Sequence, residues 1–256
     1  MDFISDLHLR AGEPETYLAW QNYMLNTRAQ AVFILGDLFE VWVGDDVVNV
    51  VNAVVPQSQS EGDFEDRCAR ALKRCAAQRD VFFMHGNRDF LVGETFTRTC
   101  DVKMLDDPCV LVFGGQRWLL SHGDALCLDD TDYMQFRSQV RSTAWQQEFL
   151  AQPLEQRKTI ARQLRTRSEA LKRSHSLLID VDAQAAAAWL KAADATHLIH
   201  GHTHRPADHP LGENLQRTVL SDWDLQANPP RAEVFRITIE VADGPVTIQR
   251  LTLEAA

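Results

Sequence analysis

The stretch VFFMHGNRD, residues 81–89, joins a short apolar run to a glycine, an amide, a cation and an acid. A similar arrangement occurs upstream, where AVFIL at residues 31–35 is followed by a glycine and an aspartate. Amphipathic stretches at residues 16–29 and 64–78 lie between the apolar runs. This alternation predicts a layered α/β core with parallel strands. In such cores ligands bind beyond the carboxyl ends of strands, which is where these polar residues fall.

The second half of the chain adds further strands and a basic helical region. Residues 109–120, CVLVFGGQRWLL, predict a hairpin around a Gly-Gly turn. Residues 133–172 have a helical pattern that is interrupted at Pro153, and the alanine-rich residues 183–193 predict a strong helix. Residues 231–254 predict a closing hairpin.

The amino-acid composition limits the class of protein to which the chain can belong. The chain has 256 residues, of which 45% are hydrophobic and 24% charged, as expected for a globular domain. It has no run of about 18 apolar residues and no basic leader with a cleavage site, so we expect a cytoplasmic protein. The five cysteines form no C-x-x-C pair, which is typical of free thiols in a reducing compartment.

Charge is distributed unevenly along the chain. The net charge of −10 disfavours general binding to nucleic-acid phosphates. Residues 131–175 nevertheless contain nine Lys or Arg and four Asp or Glu. This segment is therefore a basic region in an acidic protein.

Seven polar side chains follow five of the predicted strands. They are Asp6, His8, Asp37, Asn87, His122, His202 and His204. Carboxylate, imidazole and amide groups suit Mn²⁺, Fe, Zn²⁺ or Mg²⁺. Seven ligands are too many for one ion, but they suit two ions that share a carboxylate and together hold an in-line displacement at phosphorus. The amide of Asn87 would add a ligand without adding negative charge, which keeps the centre positive for an anionic substrate.

The other histidines carry a weaker signal. We expect structural roles for His85, His175, His197 and His209. His200 precedes a glycine, and it is either a structural residue or one that orients a ligand from behind.

The motifs resemble a known superfamily. D-x-H, GD, GN-x-[DE], an isolated His and GHxH, in this order, resemble the calcineurin-like metallophosphoesterases. Longer stretches resemble its members that hydrolyse UDP-2,3-diacylglucosamine in the lipid A pathway. These stretches are ISDLHL (4–9), ILGDLFEVWVGDD (34–46), HGNRDFLVG (85–93), HGDALCLDD (122–130), LIHGHTHRP (198–206) and LSDWD (220–224). The resemblance implies an α/β, four-layer αββα fold as a single domain over residues 1–256, with an inserted basic helical lid at residues 131–180.

The resemblance also implies a reaction and its residues. One Mn²⁺, or another divalent metal, would bind Asp6, His8, Asp37 and His204; the second would bind Asp37, Asn87, His122 and His202. Water would attack the uridine-side phosphorus, giving UMP and 2,3-diacylglucosamine 1-phosphate. The implied catalytic residues are Asp37, Asn87, Arg88 and His122. The implied substrate contacts are Asn87, Arg88, Asp130, Ser168, Lys172 and His202.

Arg88 stands where many members of the superfamily have histidine. Arginine stays protonated, so it does not act as an acid, but it can hold a second phosphate through two N–H groups. A departing phosphate monoester is a weak base that needs neutralisation more than protonation. Arg88 therefore favours cleavage of a diphosphate, with Asp89 expected to orient it. The alternative is an ordinary surface ion pair between these two neighbours.

The basic segment has three interpretations. It is an ordinary amphipathic lid, or its apolar face surrounds acyl chains while its cations contact anionic lipid, or it contacts nucleic acid. For the acyl face we expect Trp145, Phe149, Leu150, Leu154 and Leu164, and for the headgroups Arg162 and Arg165. The resemblance favours a monomer that binds a lipid-linked UDP-sugar, lies on the cytoplasmic face of the inner membrane and binds no nucleic acid. The competing functions are a metal-dependent nuclease or phosphodiesterase and a non-enzymatic metal-binding scaffold.

Overall fold

Eleven strands and seven α-helices form within the described residues of the computed structural model. These residues are 1–49, 63–174, 180–212, 214–240 and 244–256, with the backbone alone described over 166–174. The strands are β1 (Asp2–Ile4), β2 (Ala31–Leu35), β3 (Asp80–Met84), β4 (Lys103–Leu105), β5 (Cys109–Phe113), β6 (Gln116–Leu120), β7 (His197–His200), β8 (Ala207–Pro210), β9 (Gln216–Val219), β10 (Glu233–Ile239) and β11 (Val246–Thr252). The helices are α1 (Pro14–Asn26), α2 (Phe64–Ala76), α3 (Glu94–Cys100), α4 (Thr131–Val140), α5 (Thr143–Leu150), α6 (Leu154–Ser174) and α7 (Ala183–Ala192).

The strands form two sheets. The first has the order β11-β10-β1-β2-β3-β4, in which β1 to β4 are parallel and β10 and β11 are antiparallel. The second has the order β5-β6-β7-β9-β8, in which β6, β7 and β9 are parallel. The parallel strands of each sheet therefore end at one edge.

Three hydrophobic clusters separate four layers. Because successive side chains of a strand point to opposite faces, Ile34 of β2 packs toward the helix side while Phe33 packs between the sheets. The cluster between the sheets also contains Trp118 of β6. A third cluster joins Leu198 of β7 to Leu190 of α7. The predicted αββα layering is confirmed.

Several elements differ from the prediction for physical reasons. Helix α3 was not predicted, because its N-terminus is capped from a distant loop: the Asp45 carboxylate accepts hydrogen bonds from Gly93 N at 2.8 Å and Phe96 N at 2.9 Å. The short strands β4, β8 and β9 were also missed. The basic region breaks at Ser142 as well as at Pro153, since the Ser142 hydroxyl caps α5. The polar stretch VVPQSQSEGD at residues 54–63, whose composition predicts a loop, lies almost wholly outside the described residues.

Helices α4 to α6 pack against the body of the protein. Phe149 is 4% exposed and belongs to the core cluster of the first helix layer, and Trp145 and Leu154 pack against that cluster. The expectation that Phe149 faces acyl chains is therefore wrong, because its buried side chain docks α5 on the body, and Trp145 and Leu154 give part of their surface to the same contact. Leu150 is 42% exposed and therefore remains a candidate for contact with acyl chains. None of the helices in the described ranges is long and apolar enough to span a membrane.

Candidate metal centre

The seven predicted ligand residues come together at the carboxyl ends of five strands. Strands β1, β2 and β3 of the first sheet and β6 and β7 of the second deliver them. Asp6, His8 and His204 form a first group, with ligand atoms within 4.8 Å of one another, and the same spacing joins Asp6 to Asp37 and His122.

The first group has the spacing of a metal site. Nε2 of His204 lies 3.2 Å from Nε2 of His8 and 3.4 Å from Oδ1 of Asp6. Two ligand atoms that each lie about 2.1 Å from one ion are about 3.0–3.4 Å apart at octahedral or tetrahedral angles. Oδ1 of Asp6 is buried and has no hydrogen-bond partner in the described structure. A divalent cation fits this cluster and would supply the missing partner.

The second group, which consists of the predicted ligands Asp37, Asn87, His122 and His202, is built around Asn87. Its Oδ1 lies 2.8 Å from Nδ1 of His202 and 3.0 Å from Nε2 of His122. Oδ2 of Asp37 lies 3.8 Å from Nε2 of His122 and also 3.9 Å from Nε2 of His8. One carboxylate oxygen of Asp37 thus stands between the two groups, as a shared ligand would.

The backbone at these residues is unusual. Five of the seven have a positive φ in the left-handed region, which is uncommon for residues other than glycine. The φ angles are 54° at Asp6, 48° at His8, 54° at Asp37, 67° at His202 and 52° at His204. Conformations of this kind cost about 1–3 kcal/mol each and concentrate at functional sites.

Electrostatics at the centre also favour a cation. Burial raises the pKa of Asp37, and the carboxylates of Asp89 and Asp6 raise it further against the opposing effect of His122. Burial alone would lower the pKa of His122, but the surrounding carboxylates, first Asp37 and then Asp6, raise it to about 9. Without metal, protons therefore neutralise carboxylates that divalent cations would otherwise neutralise.

Asp89 does not orient Arg88, contrary to the sequence-based expectation. Its buried carboxylate accepts hydrogen bonds from four backbone N–H groups instead. The donors are Gly86 N at 2.8 Å, Leu38 N at 2.7 Å, Asp37 N at 3.3 Å and Phe39 N at 3.3 Å. Asp89 therefore ties the loop that carries Asp37 to the loop that carries Asn87. Gly86 allows the close approach, since a Cβ there would stand 2.1 Å from Oδ1 of Asp37.

Arg88 lies beside the second group and faces Glu40. Its backbone N–H donates to Oδ1 of Asp37 at 2.7 Å, and its guanidinium lies 3.7 Å from Oε1 of Glu40. Arg165 of α6 contacts the same oxygen at 3.1 Å. Glu40 thus holds two arginines at the rim of the centre, one from the loop after β3 and one from α6. Neither Glu40 nor the position of Arg165 beside it was found from the sequence, because no local pattern marks them.

The remaining predicted substrate contacts are less well placed. Asp130 is the N-cap of α4, where its Oδ1 accepts a hydrogen bond from Tyr133 N at 3.0 Å. The side chains of Ser168 and Lys172 lie outside the described residues.

Helix α4 is anchored next to the centre. The hydroxyl of Tyr133 donates to Asp124 at 2.5 Å, and Nε of Arg137 donates to the same carboxylate at 2.8 Å. The Tyr133 ring stacks on His202 with a centroid distance of 5.9 Å. Asp124 was missed, although its place two residues after His122 is a usable signal.

His200 supports the backbone of the ligand loop. Its ring is buried, with Nδ1 2.9 Å from Gly201 O and Nε2 3.3 Å from the Arg217 guanidinium. Burial lowers the pKa of His200 to about 4. Its ring thus contacts the backbone of Gly201, the residue before His202. His85, expected to be structural, lies with its Nε2 2.7 Å from Val92 O.

Comparison with known proteins places this centre in a family. The calcineurin-like phosphoesterase model matches residues 2–206. A UDP-2,3-diacylglucosamine hydrolase of Chromohalobacter salexigens is 41% identical over 98% of this chain and 97% of its own length. A protein of the same name from Chromobacterium violaceum is 43% identical over 86% of this chain and 89% of its own length. The chain therefore belongs to the calcineurin-like phosphoesterase family, whose fold implies the use of divalent metal.

Proposed function

We propose that the protein is a metal-dependent hydrolase that cleaves the pyrophosphate of UDP-2,3-diacylglucosamine to UMP and 2,3-diacylglucosamine 1-phosphate. The observation that carries the proposal is the convergence of two ligand groups that share Asp37, with Arg88 beside them. The names of relatives at 41% and 43% identity support the substrate. The reaction belongs to lipid A biosynthesis.

The two ligand groups would hold two Mn²⁺ ions. The first ion would bind Asp6, His8, Asp37 and His204, and the second Asp37, Asn87, His122 and His202. The donors are oxygen and nitrogen with no thiolate, which fits Mn²⁺ and other divalent metals. When bound, the ions supply Lewis-acid stabilisation of phosphoryl oxygens and make attack by water feasible at neutral pH.

Arg88 would neutralise the leaving phosphate. Its guanidinium is 20% exposed, and its Nε is buried with no hydrogen-bond partner in the described structure. The pairing with Glu40 at 3.7 Å is long, so the guanidinium can turn to a phosphate without breaking a short ion pair. A departing 2,3-diacylglucosamine 1-phosphate needs this charge more than it needs a proton. Asn87, which precedes Arg88, and His202, whose Nδ1 lies 2.8 Å from Oδ1 of Asn87, would contact the same phosphates.

The insertion at residues 131–180 would bind the lipid part. Leu150 and Phe136 are exposed apolar side chains of α5 and α4, at 42% and 37%. Leu150 stays a candidate for acyl contact and Phe136 is added to it, because Trp145, Phe149 and Leu154 pack against the core cluster. Asp130, Ser168 and Lys172 would bind the sugar or its phosphate.

The substrate defines where the protein works. A sugar with two acyl chains resides in a membrane, so the protein would attach peripherally to the cytoplasmic face of the inner membrane. It would act there as a monomer. Anionic lipid would attract the basic insertion, and this attraction would weaken in high salt. Nucleic acid is not proposed as a partner.

The test compares three substrates with Mn²⁺ and after chelation. We expect hydrolysis of the diacylated UDP-sugar, weaker hydrolysis of its deacylated form and none of a generic phosphodiester. In water enriched in ¹⁸O, the label should appear in UMP, because attack is on the uridine-side phosphorus. Label in the sugar phosphate would overturn the direction of attack. Preferred cleavage of the phosphodiester or of a polynucleotide would replace the proposal by a nuclease, and metal binding without any hydrolysis would favour a scaffold.

A further inference from the structure

A sixth strand ends at the metal centre. Strand β9 runs parallel to β7 in the second sheet, so its carboxyl end lies at the same edge. It leads into LSDWD, residues 220–224, a motif that the ligand assignment leaves without a role. The backbone N–H of Trp223 donates to Asp6 O at 3.0 Å. The segment therefore lies directly against a ligand loop.

Asp222 of this motif faces a histidine of the first group. Its Oδ2 lies 3.5 Å from Nδ1 of His204. Nε2 of the same ring lies 3.4 Å from Oδ1 of Asp6, on the side of the candidate ion. The imidazole therefore reaches from Asp222 to the ligand cluster. A carboxylate behind a metal-ligating histidine fixes its tautomer and the orientation of its ring.

Arg231 holds the Asp222 carboxylate in place. Its Nε lies 2.9 Å from Oδ1 and its terminal nitrogen 2.7 Å from Oδ2, a bidentate pair. Asp222 is 4% exposed, whereas the Arg231 side chain is 44% exposed, so the carboxylate is buried and its partner reaches solvent. Bidentate pairs fix geometry as well as charge. His122 has a comparable acceptor, since its Nδ1 lies 2.9 Å from the backbone oxygen of Leu35.

We propose that Asp222 is a positioning residue of the metal centre, which directs Nε2 of His204 toward the ion of the first group, with Arg231 as its brace. The inference rests on the proposed two-metal centre. It predicts an asymmetric effect, because Asp222 contacts a ligand of the first group and none of the four residues assigned to the second. The loss of Asp222 should therefore weaken one of two sites.

The test is a titration of the full-length, metal-free protein with Mn²⁺, comparing wild type, Asp222→Asn and Asp224→Asn. Asp222→Asn keeps the shape and removes the charge. We expect one site to bind about 10–100-fold more weakly, with the other site and the melting temperature of the metal-free protein unchanged. Asp224 also contacts Arg231, at 3.2 Å, but is 40% exposed and faces no ligand in the described structure. Asp224→Asn should therefore bind like wild type.

The outcomes separate this inference from the proposed function. Wild-type affinity at both sites of Asp222→Asn would overturn the positioning role. Equal weakening of both sites together with a lower melting temperature would also overturn it, because Asp222 would then be a general structural residue. If the wild-type protein binds no Mn²⁺, both proposals fail.

A second measurement needs no variant. In the wild-type protein loaded with diamagnetic Zn²⁺, nitrogen NMR should place the proton of His204 on Nδ1 and the metal on Nε2. Coordination through Nδ1 would overturn the inference.

Discussion

The Asp89→Asn substitution tests how the centre is built. Each carboxylate oxygen of the native side chain accepts two backbone N–H groups: one accepts Gly86 N and Asp37 N, and the other accepts Leu38 N and Phe39 N. Asparagine keeps the shape but replaces one oxygen by an amide nitrogen. That nitrogen cannot accept, so two buried N–H groups lose their partner.

The expected loss of stability follows from these two groups. A buried N–H without a partner costs about 1–3 kcal/mol, which gives about 2–6 kcal/mol for two. Burial raises the pKa of Asp89, so the native carboxylate itself carries a desolvation penalty that asparagine relieves. We therefore expect about 2–4 kcal/mol. For a domain of this size, this corresponds to a melting temperature lower by roughly 4–15 °C.

Thermal unfolding of the metal-free protein, followed by circular dichroism, measures this loss, and a Mn²⁺ titration measures the accompanying loss of affinity. Arg88→Met is the matched control, because it changes the neighbouring residue without touching the four hydrogen bonds. If Asp89 merely oriented Arg88, both variants would lose activity at an unchanged melting temperature. A melting temperature of Asp89→Asn within about 2 °C of wild type would refute the reasoning, since that is less than one lost hydrogen bond.

Three other outcomes are expected. Arg88→Met should lower kcat/KM about 10–150-fold, the equivalent of 1.5–3 kcal/mol for a charge-assisted contact, at constant metal content; a parallel loss of metal would assign Arg88 to the metal site instead. Gly86→Ala should weaken Mn²⁺ binding in a titration, because the added Cβ would stand 2.1 Å from Oδ1 of Asp37. Mn²⁺ affinity should rise from about pH 6 to pH 9. The reason is that the raised pKa of His122, about 9, means that a proton must leave before the imidazole can bind metal. Calorimetry in buffers of different ionisation enthalpy would detect the released proton, and an affinity independent of pH would contradict the expectation.

The layers and the ligand groups were predictable because their signals are local. Each of the five ligand-bearing strands is a short apolar run that ends in a polar residue, and parallel strands of one sheet necessarily end at one edge. The strand before Asp37 and the strand before Asn87 show this pattern most clearly. The order of the motifs along the chain then predicts that the seven side chains lie close together.

The supporting residues were not predictable because their partners lie far away in the sequence. No sequence pattern marks the role of Asp89, because its four partners are backbone groups, three of them about 50 residues earlier. Asp45 caps a helix that begins 49 residues later. Arg157 belongs to the basic segment, but it is 3% exposed and pairs with Asp46 and the backbone oxygen of Val43. Local periodicity contains no information on such contacts.

The contacts of Arg157 change the interpretation of the whole basic segment. Other cations of residues 131–175 also turn toward acidic groups elsewhere in the chain, since Arg137 pairs with Asp124 and Arg165 with Glu40. The basic charge of this segment is thus used in part to dock helices α4 and α6 on acidic side chains of the body. Reversing the charge of Arg165 would disturb this docking, whatever its effect on lipid. Electrostatic attraction to a membrane is therefore better tested at Arg162, which lies on the exposed side of the same helix.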